Sequence, residues 1–208
     1  YIKKIEEFSD TKNITIITGQ RRVGKSFVVV WFLKKNKINI KNCFYLNKEF
    51  DIKNDIKNAK DLNKLFEAYK KQYKDPEYII IDEIQDIKDW EFFVRWMYAS
   101  KKYKIIITGS NSKLFSSELS TFLTGRFLSF EVFSFTYKEF LWFAKKKKSK
   151  ESFIEYANFG WLPEIILQKN DLLKSHYLKS TIDTMIYQDI IKRYEVKNQD
   201  LAEKILKF

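Results

Sequence analysis

Residues 19–26 read GQRRVGKS. Two glycines bracket four residues, and a lysine and a serine follow. A β-branched run, NITIITG (13–19), leads into the stretch, and an apolar segment of helical length, 25–36, leaves it. A strand, a glycine-bracketed turn and a helix in direct succession are what a phosphate-binding loop requires. The glycines allow a tight turn whose N–H groups point inward, and the helix N-terminus adds its partial positive charge. In that geometry Gly19, Gln20, Arg21, Arg22, Val23 and Gly24 form the cradle. Lys25 reaches the β- and γ-phosphates, Ser26 offers a hydroxyl to Mg2+, and Phe27 closes the nucleotide-contacting run. ATP and Mg2+ are the expected ligands.

The rest of the chain alternates strands with helices. Residues 1–9 place Ile2, Ile5 and Phe8 on one helical face. NCFYLN (42–47) is a second strand. Residues 60–73 are helical, with Leu62, Leu65, Phe66 and Tyr69 in phase, until Pro76 breaks the pattern. YIIIDE (78–83) and YKIIITGS (103–110) are continuously apolar, as strands covered on both faces are. Helices are predicted over 89–100 and 112–122, and RFLSFEVF (126–133) is a fifth strand. From Thr136 onward strand signals stop, and helices are predicted over 136–147, 150–158, 163–168, 171–193 and 199–208. The alternation predicts an α/β fold, a P-loop NTPase core over 1–133 with a parallel five-stranded sheet. A smaller all-helical second domain over 134–208 is expected to follow.

Composition narrows the class. The chain is 45% hydrophobic and 17% aromatic, which places it among globular proteins. No apolar run approaches the roughly 20 residues of a membrane span, and no signal-peptide pattern opens the chain. A membrane partner is not expected. The single cysteine, Cys43, forms no internal disulfide and fits a reducing cytoplasm. It sits in the apolar run CFYL and reads as a small buried residue. Net charge is +12, yet of 39 basic residues only five are Arg (21, 22, 95, 126, 193), leaving 34 Lys. Lysine, isoleucine and asparagine dominate throughout, as an AT-rich coding bias produces. The charge is therefore discounted as a sign of nucleic acid, and the surviving arginines and glycines gain weight. The chain opens on Tyr1, and DLAEKILKF at its end reads as an amphipathic helix cut short, so a fragment of a longer protein is expected.

YIIIDEIQ carries Asp82 and Glu83 at the C-terminal end of a buried strand, the edge at which open α/β sheets bind ligands. Asp82 is read as holding Mg2+ through its water shell, and Glu83 as the general base that polarises water. Paired carboxylates there are costly without a metal or a cation nearby. A glutamate beside the metal-binding aspartate argues for hydrolysis over phosphoryl transfer to a small molecule. Gln85 either positions the water or contacts the next strand.

The other glycines mark further candidates. Gly109 ends the fourth strand in IIITGSNS, where Ser110 or Asn111 can aim a polar group at the γ-phosphate or the water. Gly125 precedes Arg126 in LTGRF. A guanidinium there either neutralises transition-state charge, worth roughly 10³–10⁵ in rate where it operates, or is salt-bridged on a sheet edge. Gly160 opens GWLPE, which either sets Pro163 against the adenine or simply breaks a helix. His176 stands alone on a helix, without the companions a metal site needs. Trp31, Trp90, Trp96 and Trp142 lie at helical spacings with other apolar residues and are read as core.

GQRRVGKSF, YIIIDEIQ, IIITGSNSKLFSSELSTFLTGRF, FSFTYKEFL, GWLPE and YQDIIKRYEVKN occur in that order. Over nearly its whole length the chain resembles the prokaryotic AAA+-like ATPases of the archaeal-ATPase type. The resemblance implies an ATPase core of the additional-strand, catalytic-glutamate class with strand order 5-1-4-3-2, and a helical lid. In many such proteins a C-terminal region resembling a restriction endonuclease, of uncertain function, follows. It implies Walker A roles for Lys25 and Ser26 and Walker B roles for Asp82 and Glu83. It places the first sensor at Ser110 or Asn111 and a second sensor at Arg193, on the helix that also carries Asp189. It implies an arginine finger at Arg126, acting on its own site or a neighbour's, and hence self-association. GWLPE resembles the family's Gly-x-x-Pro turn, with Trp161 where a second glycine is usual.

The expected function is Mg2+-dependent ATP binding and hydrolysis to ADP, as switch or motor for a C-terminal effector. The alternative is a DNA-binding module that nucleotide regulates, motivated by the +12 charge. A small-molecule kinase would need an acceptor pocket, and the Glu83 position speaks against one. A GTPase would need N-K-x-D, which NKEF (47–50) does not supply. Two of the five arginines fall inside the loop. Arg21 and Arg22 are expected to use guanidinium geometry that lysine lacks, pairing with an acid of the lid or with the nucleotide.

Overall fold

The computed structural model describes residues 1–51, 53, 55–110, 123, 125–191 and 196. The described residues include five strands: β1 (Ile14–Thr18), β2 (Cys43–Asn47), β3 (Tyr78–Asp82), β4 (Lys104–Gly109) and β5 (Phe127–Glu131). They form one parallel sheet in the order β2-β3-β4-β1-β5. This is the predicted order read from the opposite edge. Parallel pairing brings Thr18, Asn47, Asp82 and Gly109 to one edge of the sheet, in neighbouring strands.

Continuous Ile-rich runs build this sheet because both of its faces are covered. Helices α3 (Ala59–Gln72) and α4 (Trp90–Ala99) pack on Ile14, Ile16, Ile79, Ile81, Ile105 and Ile107. Phe66 is the centre of that layer, edge-to-face with Phe44, Phe93 and Tyr103 at 5.1–5.7 Å. Alternate residues, Ile80 and Ile106, are equally buried and point the other way. Helices α1 (Ile2–Asp10) and α2 (Lys25–Lys35) pack together, with contacts to β1 and β4.

Of the four tryptophans expected in the core, only Trp90 is buried; Trp31, Trp96 and Trp142 are exposed. The reason is visible in α4. Its inward stripe is Trp90, Phe93, Val94 and Met97, which leaves Phe92 and Trp96 on the outer side. Apolar spacing marks a helix face; it does not mark which of two apolar faces wins the core.

By its contacts the chain divides into two compact units. One comprises Tyr1–Gln20 with Gly24–Phe133, the other Arg21–Val23 with Ser134–Phe208. The second unit is helical: α5 (Tyr137–Phe143), α6 (Lys150–Phe159), α7 (Pro163–Ile166) and α8 (Asp171–Met185), the last running into a π-helical stretch, Ile186–Ile191. Helix α5 starts with a Thr136–Glu139 capping box and α6 with Ser149–Ser152. Helix α5 stops at Phe143, short of the predicted 147, and Lys145 beyond it adopts φ +54°. Gly160 caps α6, and a Cβ there would lie 2.7 Å from the Tyr156 Cα and 2.9 Å from its carbonyl oxygen. That close approach accounts for the glycine. The predicted helices over 112–122 and 199–208 fall outside the described residues.

Among the described residues no helix is long and apolar enough to cross a membrane. Among the same residues no group of three His, Cys, Asp or Glu is placed to hold a metal on its own. Cys43 is buried, as expected, and burial pushes its thiol up to about 11.

Candidate functional site

The strand β1 ends at Thr18, and the chain turns at once through Gly19–Gly24 into α2. Gly24 is the N-cap of α2, with φ +98°. A Cβ would meet nothing closer than 4.0 Å there, so the backbone angle, and not space, calls for glycine. The first turn of α2 carries Lys25 and Ser26, which puts its free N–H groups at the C-terminal edge of the sheet.

Lys25 is buried, with its side chain 3% exposed, and its ammonium has three partners. It lies 3.1 Å from Glu83 Oε1 and donates to the carbonyls of Gly19 (3.2 Å) and Gln20 (3.0 Å). The three donors of an ammonium are thereby matched. Glu83 comes from the end of β3, where it adopts the left-handed conformation, φ +56°. That conformation is uncommon for a residue with a Cβ, costs about 1–3 kcal/mol, and concentrates at functional sites. Its second oxygen accepts from Gln85 Nε2 at 2.6 Å. Gln85, expected to position the water or to contact the next strand, does neither through this amide nitrogen, which is taken by Glu83 two residues back.

Asp82 is fully buried one residue earlier. Its Oδ2 accepts from Asn47 Nδ2 (3.1 Å) and the Tyr45 hydroxyl (3.3 Å), and its Oδ1 accepts from the Thr108 hydroxyl. Thr108 Oγ1 also accepts the backbone N–H of Glu83 at 3.2 Å, so one hydroxyl fixes both acids. Burial, and then the Asp82 charge, push the Tyr45 phenol up to about 12. Tyr45, Asn47 and Thr108 were not singled out in the sequence. The available signal was register: Asn47 pairs with Asp82 across β2 and β3, and Thr108 extends the neighbouring strand β4 by one step past Ile107, the partner of Ile81.

Two buried polar atoms here have no hydrogen-bond partner among the described residues: the Ser110 hydroxyl and Gln85 Oε1. Ser110 stands directly after β4, and its orphaned hydroxyl suits a ligand. Asn111, the alternative at that position, lies outside the described residues, as does Arg193; nothing is described of the Asp189 side chain. Ser26 is half-buried, and Phe27 is 66% exposed and stacked on Trp31 at 6.1 Å.

Five expected contributors are not brought to this edge within the sheet unit. Arg126 is exposed and immediately precedes β5, which runs parallel to β1. It therefore lies at the opposite edge of the sheet, roughly 13 Å of strand away at 3.3 Å per residue. Pro163 is the first residue of α7 in the helical unit. Arg22, with Arg21 and Val23, groups with the helical unit as well. Its guanidinium pairs with an acid of that unit, Glu164, at 3.6 Å.

The donor set fits Mg2+ and a polyphosphate. A serine hydroxyl and an aspartate are hard oxygen ligands, and the glycine turn opens onto a helix N-terminus beside a buried cation. The profile of the AAA domain family matches residues 11–141. An uncharacterised Haemophilus influenzae protein is 31% identical over 216 residues, covering 100% of this chain and 54% of that protein. An uncharacterised Methanocaldococcus jannaschii protein is 35% identical over 198 residues, covering 89% of this chain and 43% of that protein. The chain thus spans about half the length of these relatives. Among solved structures, the replication initiator DnaA bound to AMPPCP and single-stranded DNA superposes with a TM-score of 0.53 at 18% identity, over 95% of this chain and 69% of that one. AMPPCP-bound DnaA from Aquifex aeolicus gives 0.51 at 15% identity, over 100% and 66%. The structural likeness establishes the shared α/β fold. With the family profile matched across the loop, the paired acids and all five strands, the chain belongs to the AAA domain family.

Proposed function

We propose that this chain binds ATP with Mg2+ and hydrolyses it. The observation that carries the reading is the buried Lys25–Glu83 pair at 3.1 Å, set between the glycine turn and the caged Asp82. A lysine, a carboxylate base and a metal-binding acid at one sheet edge are what phosphoanhydride hydrolysis requires. The loop N–H groups and Lys25 bind and orient the phosphates. Ser26 and Asp82 would hold Mg2+, which when bound neutralises charge on the phosphate oxygens. Lys25 exchanges its Glu83 contact for phosphate oxygen, and the released carboxylate of Glu83 accepts a proton from the attacking water. Thr108 keeps both acids in place through that exchange. Ser110 offers its hydroxyl to the terminal phosphate or the water.

Arg126, at the opposite edge of its own sheet, acts in this reading on a neighbouring copy, which makes hydrolysis dependent on self-association. The chain spans about half the length of its relatives, and in this reading its ATPase region drives or gates an effector as switch or motor. Phosphate release from ATP by the chain with Mg2+ tests the reading, together with binding of a fluorescent ATP analogue. Lys25→Ala is expected to abolish both. Failure of the parent chain to bind ATP would overturn it.

A second reading, a DNA-binding module regulated by nucleotide, is supported by the +12 charge and by the single-stranded DNA in the DnaA structure. It requires DNA affinity that falls steeply with salt. Absence of binding at low salt sinks it.

A further inference from the structure

Arg22 sits in the middle of the glycine-bracketed loop, and its side chain meets residues of the helical unit, with which Arg21–Val23 group. Its guanidinium lies 5.2 Å from the centroid of the Tyr177 ring, and Nη1 donates to the Tyr177 hydroxyl at 2.5 Å. The same nitrogen is 3.4 Å from Thr181 Oγ1 and 3.6 Å from Glu164 Oε2. Tyr177 in turn donates its hydroxyl to Glu164. Tyr177 and Thr181 are four residues apart and share one side of α8, and Glu164 belongs to the first turn of α7. Arg22 itself holds φ +65°, a left-handed angle that a residue with a Cβ keeps only when its surroundings enforce it.

No single one of these contacts is strong. Arg22 and Glu164 have side chains 38% and 53% exposed, and such an ion pair alone contributes little. Their convergence is what matters. A planar guanidinium can stack on a ring while its fork serves a phenol, a hydroxyl and a carboxylate, and a lysine cannot. In a chain with 34 Lys and five Arg, this is a position where the difference in geometry is used.

We propose that Glu164 and Tyr177 are positioning residues for the nucleotide site, acting through Arg22. They grip Arg22 and with it residues 21–23, so the shape of that stretch of the loop, and with it nucleotide affinity, depends on these two side chains. This rests on the nucleotide-binding reading above for its functional meaning, while the grip itself is a property of the protein without nucleotide.

The test combines two readouts on the parent chain, Tyr177→Phe, Glu164→Gln, Arg22→Ala and the Arg22→Ala/Glu164→Gln double variant. The first is hydrogen exchange of peptides covering residues 19–24, without nucleotide. The second is affinity for a fluorescent ATP analogue, with KM and kcat for ATP. Expected are faster exchange in the loop peptides, with β3 peptides unchanged, and about tenfold weaker nucleotide binding in Glu164→Gln. Tyr177→Phe should raise KM with kcat kept. The double variant should bind no more weakly than Arg22→Ala, because Glu164 has nothing left to act through. Additive losses in the double variant overturn the proposal, as does loop exchange unchanged in both single variants. Loop exchange that responds in a chain that binds no nucleotide supports the grip and refutes the ATPase reading instead.

Discussion

Glu83→Gln is the sharpest perturbation of this site, because it changes charge and almost nothing else. Lys25 and Glu83 lie 3.1 Å apart with side chains 3% and 7% exposed. At an effective dielectric constant of about 20, that separation corresponds to an attraction of about 5 kcal/mol before desolvation is deducted. Deleting one partner of a buried pair costs about 3–5 kcal/mol. Glutamine keeps an oxygen for Lys25, which also retains the Gly19 and Gln20 carbonyls, so a loss of about 2–3 kcal/mol is expected. For a chain of 208 residues that is a fall in Tm of about 4–12 °C without nucleotide. ATP binding should be kept or tightened, since Lys25 no longer has to leave a carboxylate. Saturating nucleotide should therefore restore most of the lost Tm. Hydrolysis should fall about 10²–10⁴-fold for want of the base. Thermal unfolding with and without ATP, alongside phosphate release, reads all three. Unchanged Tm and unchanged turnover in the variant would refute both the pairing energetics and the base assignment.

Thr108→Val keeps shape and removes the hydroxyl shared by Asp82 and the Glu83 N–H. It should cost about 2–4 kcal/mol in chemical denaturation and weaken the Mg2+ dependence of nucleotide affinity, whereas Tyr45→Phe should cost about 1 kcal/mol. Arg126→Ala should leave ATP affinity unchanged and lower turnover. In mixtures, a hydrolysis-dead Lys25→Ala chain that retains Arg126 should restore turnover to Arg126→Ala; lack of any rescue tells against a role in a neighbour's site. Phe66→Ala removes the ring on which Phe44, Phe93 and Tyr103 converge and should destabilise by about 3–5 kcal/mol in urea unfolding.

The fold and the centre of the site were legible in the sequence for a definite reason. Backbone rules act locally: β-branched runs without alternation make doubly covered strands, and a helix beginning at a glycine fixes where Lys25 and Ser26 stand. Strand C-termini then carried Asp82, Glu83 and Ser110 to the same edge as the loop, once the parallel order was in place. What neighbours across strands and helices do to one another was not legible. Tyr45, Asn47 and Thr108 are 26 to 37 residues from Asp82 in the chain and meet it only through register. Trp31 and Trp96 had the spacing of core residues and lost the core to stripes on the same helices. Arg126 looked equally fit for its own site until the direction of β5 put it at the far edge.

The amino-acid sequence by itself determined that a phosphate loop, a pair of acids and a parallel sheet occur together, because each follows from contacts within a few residues. The tertiary structure alone decided that Lys25 neutralises Glu83, that one threonine holds both acids, and that Arg22 of the loop is held by Glu164 and Tyr177. Those pairings join residues 25 to 155 positions apart, and only the closing of the sheet and the packing of the helices bring their side chains within hydrogen-bonding range.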